Sequence, residues 1–386
     1  MDKRMTVAGV AGVLVLVLLA AGCSDPASPP HRGPGVPAFA AAPGTGITID
    51  QQNGTFGDVT PYGSGSHIGK GFTGRNPHLG DAVIATFFWR GTSNNITIVT
   101  DHLSNTDATP IGNNYTLVEY ATAGGISMAT YVATNVQGFL DADTASDSIL
   151  TVHALFSSPV SDGGILISAW RGVNAQSAAA MGTHQSASGS SSSTATADPG
   201  TMAVGAGALA YGVTMSNAVV GVAPPAGFTY LTPSPEDTAM ETDGEYAVPA
   251  NGGSVDPQWT WYFRSPSTWL ATVLALNPAA LHLVFTVQPS TTLPLMTITP
   301  AVQVTVVDDQ GNPVTGYTGS VTIAIGHNGG MLLPGTLSGT KTATAVNGVA
   351  TFSDLSIDQP GNGYTLTVAG SGVTGAESGA FNISPF

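Results

Sequence analysis

The apolar residues of this chain follow a two-residue period over most of its length, and few segments follow the 3.6-residue period of a helix. Successive side chains of a strand point to opposite faces, so this period predicts strands. Turn sequences such as Arg90-Gly91 and Asn251-Gly252-Gly253 separate the apolar segments. A parallel α/β fold would need helical patterns between the strands. The pattern therefore predicts an all-β protein made of β-sandwiches.

The region 47–278 is predicted to form a β-sandwich domain, and the sequence leaves open whether it contains one pair of sheets or two small domains. The polar segment Ser186–Thr194 is expected to be an exposed loop, because it holds only small residues. A domain boundary is predicted near Asn277–Leu281, where the pattern changes. The predicted strands are Ala82–Trp89, Asn95–Thr100, Tyr115–Glu119, Ser127–Ala133, Ile149–Phe156, Ile165–Arg171, Thr201–Leu209, Gln258–Arg264 and Trp269–Ala275.

The C-terminal region 281–386 carries a more specific pattern. The run VQVTVVDDQGNPVTGYTGSVTIAI, followed by GTLSGTKTATAVNGVATFSDLSID and GYTLTV, resembles the bacterial immunoglobulin-like domains of invasin- and intimin-type surface adhesins. The resemblance implies an immunoglobulin-like sandwich that serves as a stalk or spacer and has no catalytic residues. Independently of the resemblance, Asn347-Gly348 predicts a hairpin between Thr342–Val346 and Val349–Phe352.

The region 47–278 resembles, over shorter pieces, the jelly-roll or lectin-like sandwich modules of secreted bacterial proteins. The similar pieces are GDAVIATFFW, ITIVTDHLSN with NNYTLVEY, and WLATVLALNPA. This resemblance implies a fold and no particular activity, because such sandwiches carry many unrelated functions.

The segment 1–22 is predicted to be a lipoprotein signal peptide. Two basic residues precede an apolar run from Val7 to Ala21, which is too short for a stable spanning helix. Cys23 is the only cysteine among 386 residues. The segment Ala20-Ala21-Gly22-Cys23 resembles the bacterial lipobox, with Ala20 where leucine is commonest, and this implies that Cys23 is lipidated. An ordinary signal peptide followed by an unrelated cysteine is the alternative.

Residues 23–46 are rich in Pro, Ala and Gly and are predicted to form an extended tether. The lipid on Cys23 would make a bacterial membrane the first partner of the exported protein. Ser24, which follows the cysteine, favours the outer membrane and the cell surface over retention at the inner membrane.

The charge of the chain excludes two kinds of partner. Nine Lys and Arg residues against 24 Asp and Glu residues give a formal net charge of −15. Too few cations are present to form the basic patch that nucleic acids require. The same shortage excludes attraction to anionic lipid headgroups.

The tryptophans are the candidate ligand-binding residues. In QWTWYF, from Gln258 to Phe263, alternation places Trp259 and Trp261 on one face of a strand. Trp89 and Trp170 each end a predicted strand and precede Arg-Gly. Flat aromatic rings of this kind stack on sugars in carbohydrate-binding sandwiches. The alternative is a core role, in which each ring buries about 150–250 Å².

Candidate metal ligands are few. Asp141, Asp143 and Asp147 offer the oxygen atoms that Ca²⁺ prefers, although the segment lacks a complete calcium loop. The alternative is a turn before the strand that follows. No other cofactor is expected.

The eight histidines show no spacing typical of a metal or catalytic motif. Two of them, His67 and His78, are predicted to be able to meet Asp81 in space. A third histidine, His102, is likewise predicted to be able to meet Asp101 in space.

The acidic segment Glu241-Thr242-Asp243-Gly244-Glu245 is the candidate for paired carboxyl groups. Glycoside hydrolysis needs two such groups about 5–10 Å apart. Glu241 and Glu245 have a suitable sequence spacing, but Gly244 favours a solvated loop instead.

Together these features predict a non-enzymatic, lipid-anchored cell-surface protein for adhesion or ligand display. The ligand would be a glycan or a surface protein. One alternative is a carbohydrate-binding module, which requires exposed tryptophans. Another is a polysaccharide-degrading enzyme, which requires two converging carboxyl groups.

Overall fold

The structure is a computed structural model that describes residues 46–384, except 57–58, 63–64, 73–74, 104–109, 139–148, 233–238 and 310. Within the described residues the chain forms 30 strands, and its one helix is the four-residue segment Ser177–Ala180. The all-β prediction is therefore confirmed. The predicted signal peptide, Cys23 and the tether up to residue 45 lie outside the described residues.

Residues 47–173 form a two-layer structure, here called the first sandwich. An inner sheet has the strand order β1-β9-β4-β7-β6, and an outer sheet has the order β2-β3-β8-β5. Phe87, Trp89 and Val152 are among the apolar side chains that fill the space between the sheets. The strands are β1 Thr48–Phe56, β2 Val59–Tyr62, β3 Gly65–Gly71, β4 Ala82–Arg90, β5 Ile96–Leu103, β6 Thr116–Ala123, β7 Ile126–Ala133, β8 Leu150–Phe156 and β9 Gly163–Arg171.

Residues 177–278 form the second sandwich. Its elements are α1 Ser177–Ala180, β10 Met181–Ser191, β11 Thr194–Ala197, β12 Met202–Val204, β13 Leu209–Ser216, β14 Val222–Ala223, β15 Thr229–Tyr230, β16 Glu241–Ala247, β17 Gly253–Val255, β18 Trp259–Tyr262 and β19 Ser267–Leu276. The inner sheet has the order β10-β19-β13-β16-β15, and the outer layer contains β11-β18-β14 and β12-β17. Residues Ser186–Ser191, predicted as a loop, lie in β10 because their backbone pairs with Ser267–Thr272 of β19.

The two sandwiches have the same topology. Strands β10, β19, β13, β16 and β15 take the places of β1, β9, β4, β7 and β6 in the inner sheet. The registers also correspond. In the first sandwich, Ala82 at the start of β4 pairs with Trp170 of β9, and in the second, Leu209 at the start of β13 pairs with Leu276 of β19. Region 47–278, for which the sequence leaves one or two units open, therefore contains two sandwiches. The side chains at equivalent positions differ so much that the sequence pattern does not reveal the repeat.

The two inner sheets pack face to face. Ile84 and Phe88 from β4 share one apolar core with Tyr211 and Met215 from β13. A hydrogen bond of 3.0 Å between Thr86 Oγ1 and Tyr211 Oη crosses this core. Inner strands are consequently buried on both faces, which explains why β4 and β19 are continuous apolar runs rather than alternating ones.

Two hydrogen bonds between the sandwiches are equivalent, as in a two-fold dimer. Arg90, at the end of β4, donates from Nη2 to the carbonyl oxygen of Ala239 at 3.1 Å. Asn217, directly after the equivalent strand β13, donates from Nδ2 to the carbonyl oxygen of Gly124 at 3.4 Å. Residues 47–278 therefore resemble a two-fold dimer whose inner sheets share one apolar core.

Residues 281–384 form the C-terminal domain. Its core contains Val304, Phe352 and Tyr364 and is separate from the cores of the two sandwiches. Seven strands are joined in the order β24-β22-β28-β29-β20-β21-β25, and two further pairs are β23-β26 and β27-β30. The strands are β20 His282–Val287, β21 Val302–Val307, β22 Ser320–Ile325, β23 Leu337–Ser338, β24 Thr342–Thr344, β25 Val349–Phe352, β26 Ser356–Ile357, β27 Gly361–Tyr364, β28 Leu366–Gly370, β29 Val373–Glu377 and β30 Phe381–Ile383.

The predicted turn at Asn347-Gly348 is present, and both residues have a positive φ, of 50° and 77°. The strands beside it do not form the predicted hairpin, however. β24 pairs with β22, whereas β25 pairs with β21. Only an isolated bridge between Val346 and Val349 closes the turn. The turn thus carries the chain from one part of the domain to another.

Candidate functional site

The four candidate ligand-binding tryptophans are core residues. Trp89, Trp170, Trp259 and Trp261 each expose 1% of their surface or less. Trp261 also donates a hydrogen bond from Nε1 to Thr214 Oγ1 at 3.1 Å inside the second sandwich. Because the rings fill the sandwich interiors, none offers a face to a sugar, and the predicted stacking site is corrected to a packing role.

The acidic segment that was predicted as a solvated loop is strand β16, paired with β13. Asp243 and Glu245 each expose only 1% of their surface and lie opposite Thr214 and Gly212. Glu241 and Glu245 are separated by four strand residues, or about 13 Å at about 3.3 Å per residue. This distance exceeds the carboxyl separation that glycoside hydrolysis uses. The predicted pair therefore lacks the required geometry.

Glu245 is a neutral side chain at pH 7. Burial raises the pKa of Glu245 to about 9, and the nearby Asp243 carboxyl acts in the same direction. The two carboxyl oxygens of Glu245 are buried and accept no hydrogen bond within the described part of the chain. Because the carboxyl group of Glu245 is closed off from solvent, its main effect is on the free energy of unfolding.

A polar cluster lies at one end of the inner sheet of the first sandwich. It is named here the Asp50 cluster and consists of Asp50, His78, Asp81 and Arg171. Asp50 occupies a bulge in β1, which turns its side chain away from the regular ladder. Arg171 ends β9, and the other two residues lie in the loop before β4. Three separate segments therefore meet at these side chains.

Short polar contacts join the cluster. His78 Nδ1 lies 2.7 Å from Asp50 Oδ2, and Arg171 Nη2 lies 2.8 Å from Asp50 Oδ1. The backbone N–H of His78 donates to Asp81 Oδ2 at 2.8 Å. The predicted meeting of His78 with Asp81 is confirmed, although the backbone of His78 makes the contact.

Burial and the neighbouring Asp50 favour the protonated form of Asp81. Burial, and then the hydrogen bond to Asp50, raise the pKa of Asp81 to about 8. Only 2% of Asp81 is exposed. The Asp50 side chain also faces the guanidinium of Arg171.

The Asp50 cluster also contains potential metal ligands. Among the described residues, only its members Asp50, His78 and Asp81 bring three His, Cys, Asp or Glu ligand atoms this close together. Single ligand atoms of Asp50, His78 and Asp81 lie within 4.8 Å of one another. A cation there would have to displace the contact between Asp50 and Arg171. The side chains of the cluster already contact one another, so we interpret the cluster as a clamp that holds β1, β9 and the loop before β4 together.

Arg171→Gln is expected to lower the free energy of unfolding by about 1–2 kcal/mol, because the Asp50 carboxylate would lose its cationic partner in a half-buried setting. Urea unfolding at pH 7 measures the change. Arg264→Gln, which removes the same charge at an exposed position, is the matched control and should alter stability by less than about 0.5 kcal/mol. Equal effects of the two substitutions would contradict the clamp.

His67 does not join Asp81. It lies beside His153, with the ring centroids 4.9 Å apart, and the ring of His102 lies 4.8 Å from that of His153 on the other side. Asp101 does not meet His102 as predicted. Its side chain points into the sandwich, where Oδ2 accepts a hydrogen bond of 2.7 Å from Asn113 Nδ2. We call His67, His102 and His153 the histidine group.

Five large apolar side chains are exposed on two loops of the C-terminal domain, and we name this surface the apolar tip. The loop after β20 contributes Leu295 and Met296, and the loop after β22 contributes Met331, Leu332 and Leu333. Their exposed fractions range from 58% to 93%. Isolated exposed apolar residues are common, but a group of this size marks an interaction surface.

The two loops of the apolar tip are neighbours. The backbone N–H of Leu295 donates to the carbonyl oxygen of Ile357 at 2.9 Å, and that of Met331 donates to the carbonyl oxygen of Pro360 at 3.2 Å. Both loops are thus attached to one short segment, 357–360. This surface was not among the sites predicted from the sequence, although the apolar run between Gly330 and Pro334, in a turn context, is a usable signal.

The remaining predicted site residues lie elsewhere. Asp141, Asp143 and Asp147 lie outside the described residues. No described helix has the length and apolar character needed to cross a membrane. Comparison of the chain with protein-family models, with curated proteins and with solved structures finds no match. The resemblance of region 281–386 to immunoglobulin-like domains stays a prediction.

Proposed function

We propose that this chain is a non-enzymatic, lipid-anchored surface protein that makes adhesive contacts through the apolar tip. The observation that carries the proposal is the exposure of five Leu and Met side chains on two adjoining loops. Cys23 would supply the anchor, and the region 23–46 would supply the tether. The partner would be a surface protein that offers an apolar patch or pocket.

The tip lies at the end of the C-terminal domain remote from the point where the chain enters. β20 starts next to the linker and runs toward the loop that contains Leu295. β29 runs parallel to β20, β28 runs antiparallel to β29, and β22 runs antiparallel to β28. β22 therefore points in the same direction as β20, and the loop that contains Leu332 lies at the same remote end.

The tip can supply a useful binding energy. Burying a Leu or Met side chain completely contributes about 1.5–3 kcal/mol. Three such side chains therefore contribute roughly 5–9 kcal/mol before the entropic cost of association is subtracted. A single contact of this kind is weak, but many anchored copies acting together strengthen adhesion strongly. Apart from His327, the loops 288–301 and 326–336 contain no ionisable side chain, so the contact needs little charge desolvation.

The test uses cells of a non-aggregating laboratory bacterium that produce the full chain from its own signal sequence. These cells are mixed with fluorescent cells that lack the chain, and aggregation is measured by settling and microscopy. We expect aggregates, and we expect the triple variant Leu295→Ser, Leu332→Ser, Leu333→Ser to abolish them. Aggregates of producing cells alone would identify a second copy as the partner, and mixed aggregates would identify a protein on the other cell.

Val346→Ser and Leu79→Ser are the matched controls. Both replace exposed apolar residues, with exposed fractions of 69% and 73%, outside the apolar tip. Neither should reduce aggregation if surface amounts are equal. The proposal would be overturned if the natural chain caused no aggregation, or if the tip variant aggregated as well as the two controls.

A further inference from the structure

The histidine group lies on three neighbouring strands of the first sandwich. β8 is between β3 and β5 in the outer sheet. Val152 and Ala154 of β8 point into the core, so His153 between them points to the outer face of the sheet. His67 on β3 and His102 on β5 belong to the same outer face by their register with β8. The three imidazoles therefore converge on one surface.

The surroundings hold the rings together. Gly69 lies opposite His153, and a Cβ atom there would lie 2.9 Å from His153 Cβ and 3.1 Å from His67 Nε2. The glycine thus leaves the space that the His67 ring occupies. Thr60 Oγ1 lies 3.2 Å from His67 Nδ1, and this contact leaves Nε2 available to a ligand.

Burial disfavours the charged form of two of the three rings, and the neutral form is the one that ligates metals. Burial, followed by the charges of His67 and His102, lowers the pKa of His153 to about 4. Burial, followed by the charge of His102, also lowers the pKa of His67. None of the hydrogen bonds of these rings within the described residues involves a carboxylate. A neutral imidazole carries one nitrogen lone pair that can ligate a metal ion.

The spacing of two nitrogens already suits a metal ion. His102 Nδ1 and His153 Nδ1 are 3.1 Å apart. Two imidazole nitrogens on a tetrahedral ion, each about 2.0–2.1 Å from it, are about 3.3–3.4 Å apart. An ion would take the position between these two nitrogens. The ring of His67, whose centroid lies 4.9 Å from that of His153, would have to turn away from Thr60 to bring a third nitrogen to the ion.

We propose that His67, His102 and His153 bind one transition-metal ion of the Zn²⁺ or Cu²⁺ class. Three imidazole ligands select such ions over Ca²⁺ and Mg²⁺, which prefer oxygen. A fourth position would remain open toward the outer face for water or an external ligand. This site is distinct from the apolar tip and from the Asp50 cluster.

The second sandwich provides an internal comparison. Its outer strands β11 and β18 turn Ala195 and Trp261 toward the core, so Thr194, Thr260 and Tyr262 lie on the outer face. The same topology therefore folds without histidines on this face. Among the described residues, only the first sandwich carries histidines on this face. Because the second sandwich folds without them, the histidine group is better explained by a role in binding than by a role in folding.

The experiment uses the full mature chain with Cys23→Ser and without a polyhistidine tag. Competition with a chromophoric chelator measures Zn²⁺ affinity, and Cu²⁺ electron paramagnetic resonance detects nitrogen ligands. We expect one Zn²⁺ ion per chain and a Cu²⁺ spectrum with imidazole nitrogen couplings. His67→Thr and His102→Thr, both at partly exposed positions, should each weaken Zn²⁺ binding by about 10- to 100-fold or more.

Two control variants separate this site from others. His184→Thr removes an exposed histidine that pairs with Glu119, and Asp50→Asn disables the Asp50 cluster. Neither should change Zn²⁺ affinity. The proposal would fail if Zn²⁺ did not bind, if both threonine variants bound it as the natural chain does, or if Asp50→Asn alone removed binding. Circular dichroism checks that each variant is folded.

Discussion

Glu245→Gln is expected to make the protein more stable than the natural chain at pH 8 and to leave its stability almost unchanged near pH 4. Glu245 is buried, and its pKa is raised from 4.5 to about 9 in the folded chain. Between these values the folded chain holds a proton that the unfolded chain has released. The free energy of unfolding therefore falls as the pH rises from about 4.5 to about 9.

The slope contributed by Glu245 is at most about 1.4 kcal/mol per pH unit. We expect roughly 2–4 kcal/mol to separate the natural chain from Glu245→Gln at pH 9, after relaxation around the charged group is allowed for. Guanidinium unfolding at pH 4, 6, 8 and 9 measures the difference. Glu377→Gln makes the same substitution at an exposed site and should leave the pH slope unchanged. Parallel pH profiles for Glu245→Gln and the natural chain would contradict the assignment.

Trp261→Ala is expected to lower the free energy of unfolding by about 3–5 kcal/mol, because it leaves a large cavity in the second sandwich. The substitution also leaves Thr214 Oγ1 without the indole donor that it now has at 3.1 Å. Guanidinium unfolding of the full mature chain at pH 6 measures the loss. A tryptophan that served mainly to stack on a ligand would show a much smaller loss of stability.

Tyr262→Ala is the matched control for Trp261→Ala. Tyr262 is the next residue along β18, points to the opposite face and has an exposed fraction of 42%. Its removal should cost less than about 1 kcal/mol. If Tyr262→Ala and Trp261→Ala destabilised the protein equally, the burial of Trp261 would not be the reason for its presence.

Much of the local structure follows from the sequence. The apolar segments Ala82–Trp89 and Trp269–Ala275 predict strands, and both are strands. Asn347-Gly348 predicts a turn with positive φ, because few other residues adopt that conformation at low cost, and the turn is there. These features depend on the backbone preferences of a few neighbouring residues, so a short stretch of sequence is enough to predict them.

The sequence misled where pairing with distant strands decided the outcome. Ser186–Ser191 is polar and rich in small residues, yet it is a strand because β19 supplies its backbone partners. Glu241–Ala247 contains a glycine and three acidic residues, yet it is a strand because β13 lies beside it. Backbone hydrogen bonds do not depend on side-chain polarity, so the local pattern underestimates such strands.

The candidate sites were predicted least well, because each depends on which face of a sheet a residue occupies. Sequence alone determined that the chain is all-β, strongly acidic and divided near residue 280. The tertiary structure alone decided that region 47–278 contains two sandwiches of one topology and that four tryptophans are core residues. It also brought three histidines from distant strands to one face. The reason is that strand order and register are fixed by long-range pairing and by the burial of the inner sheets, neither of which a short stretch of sequence contains.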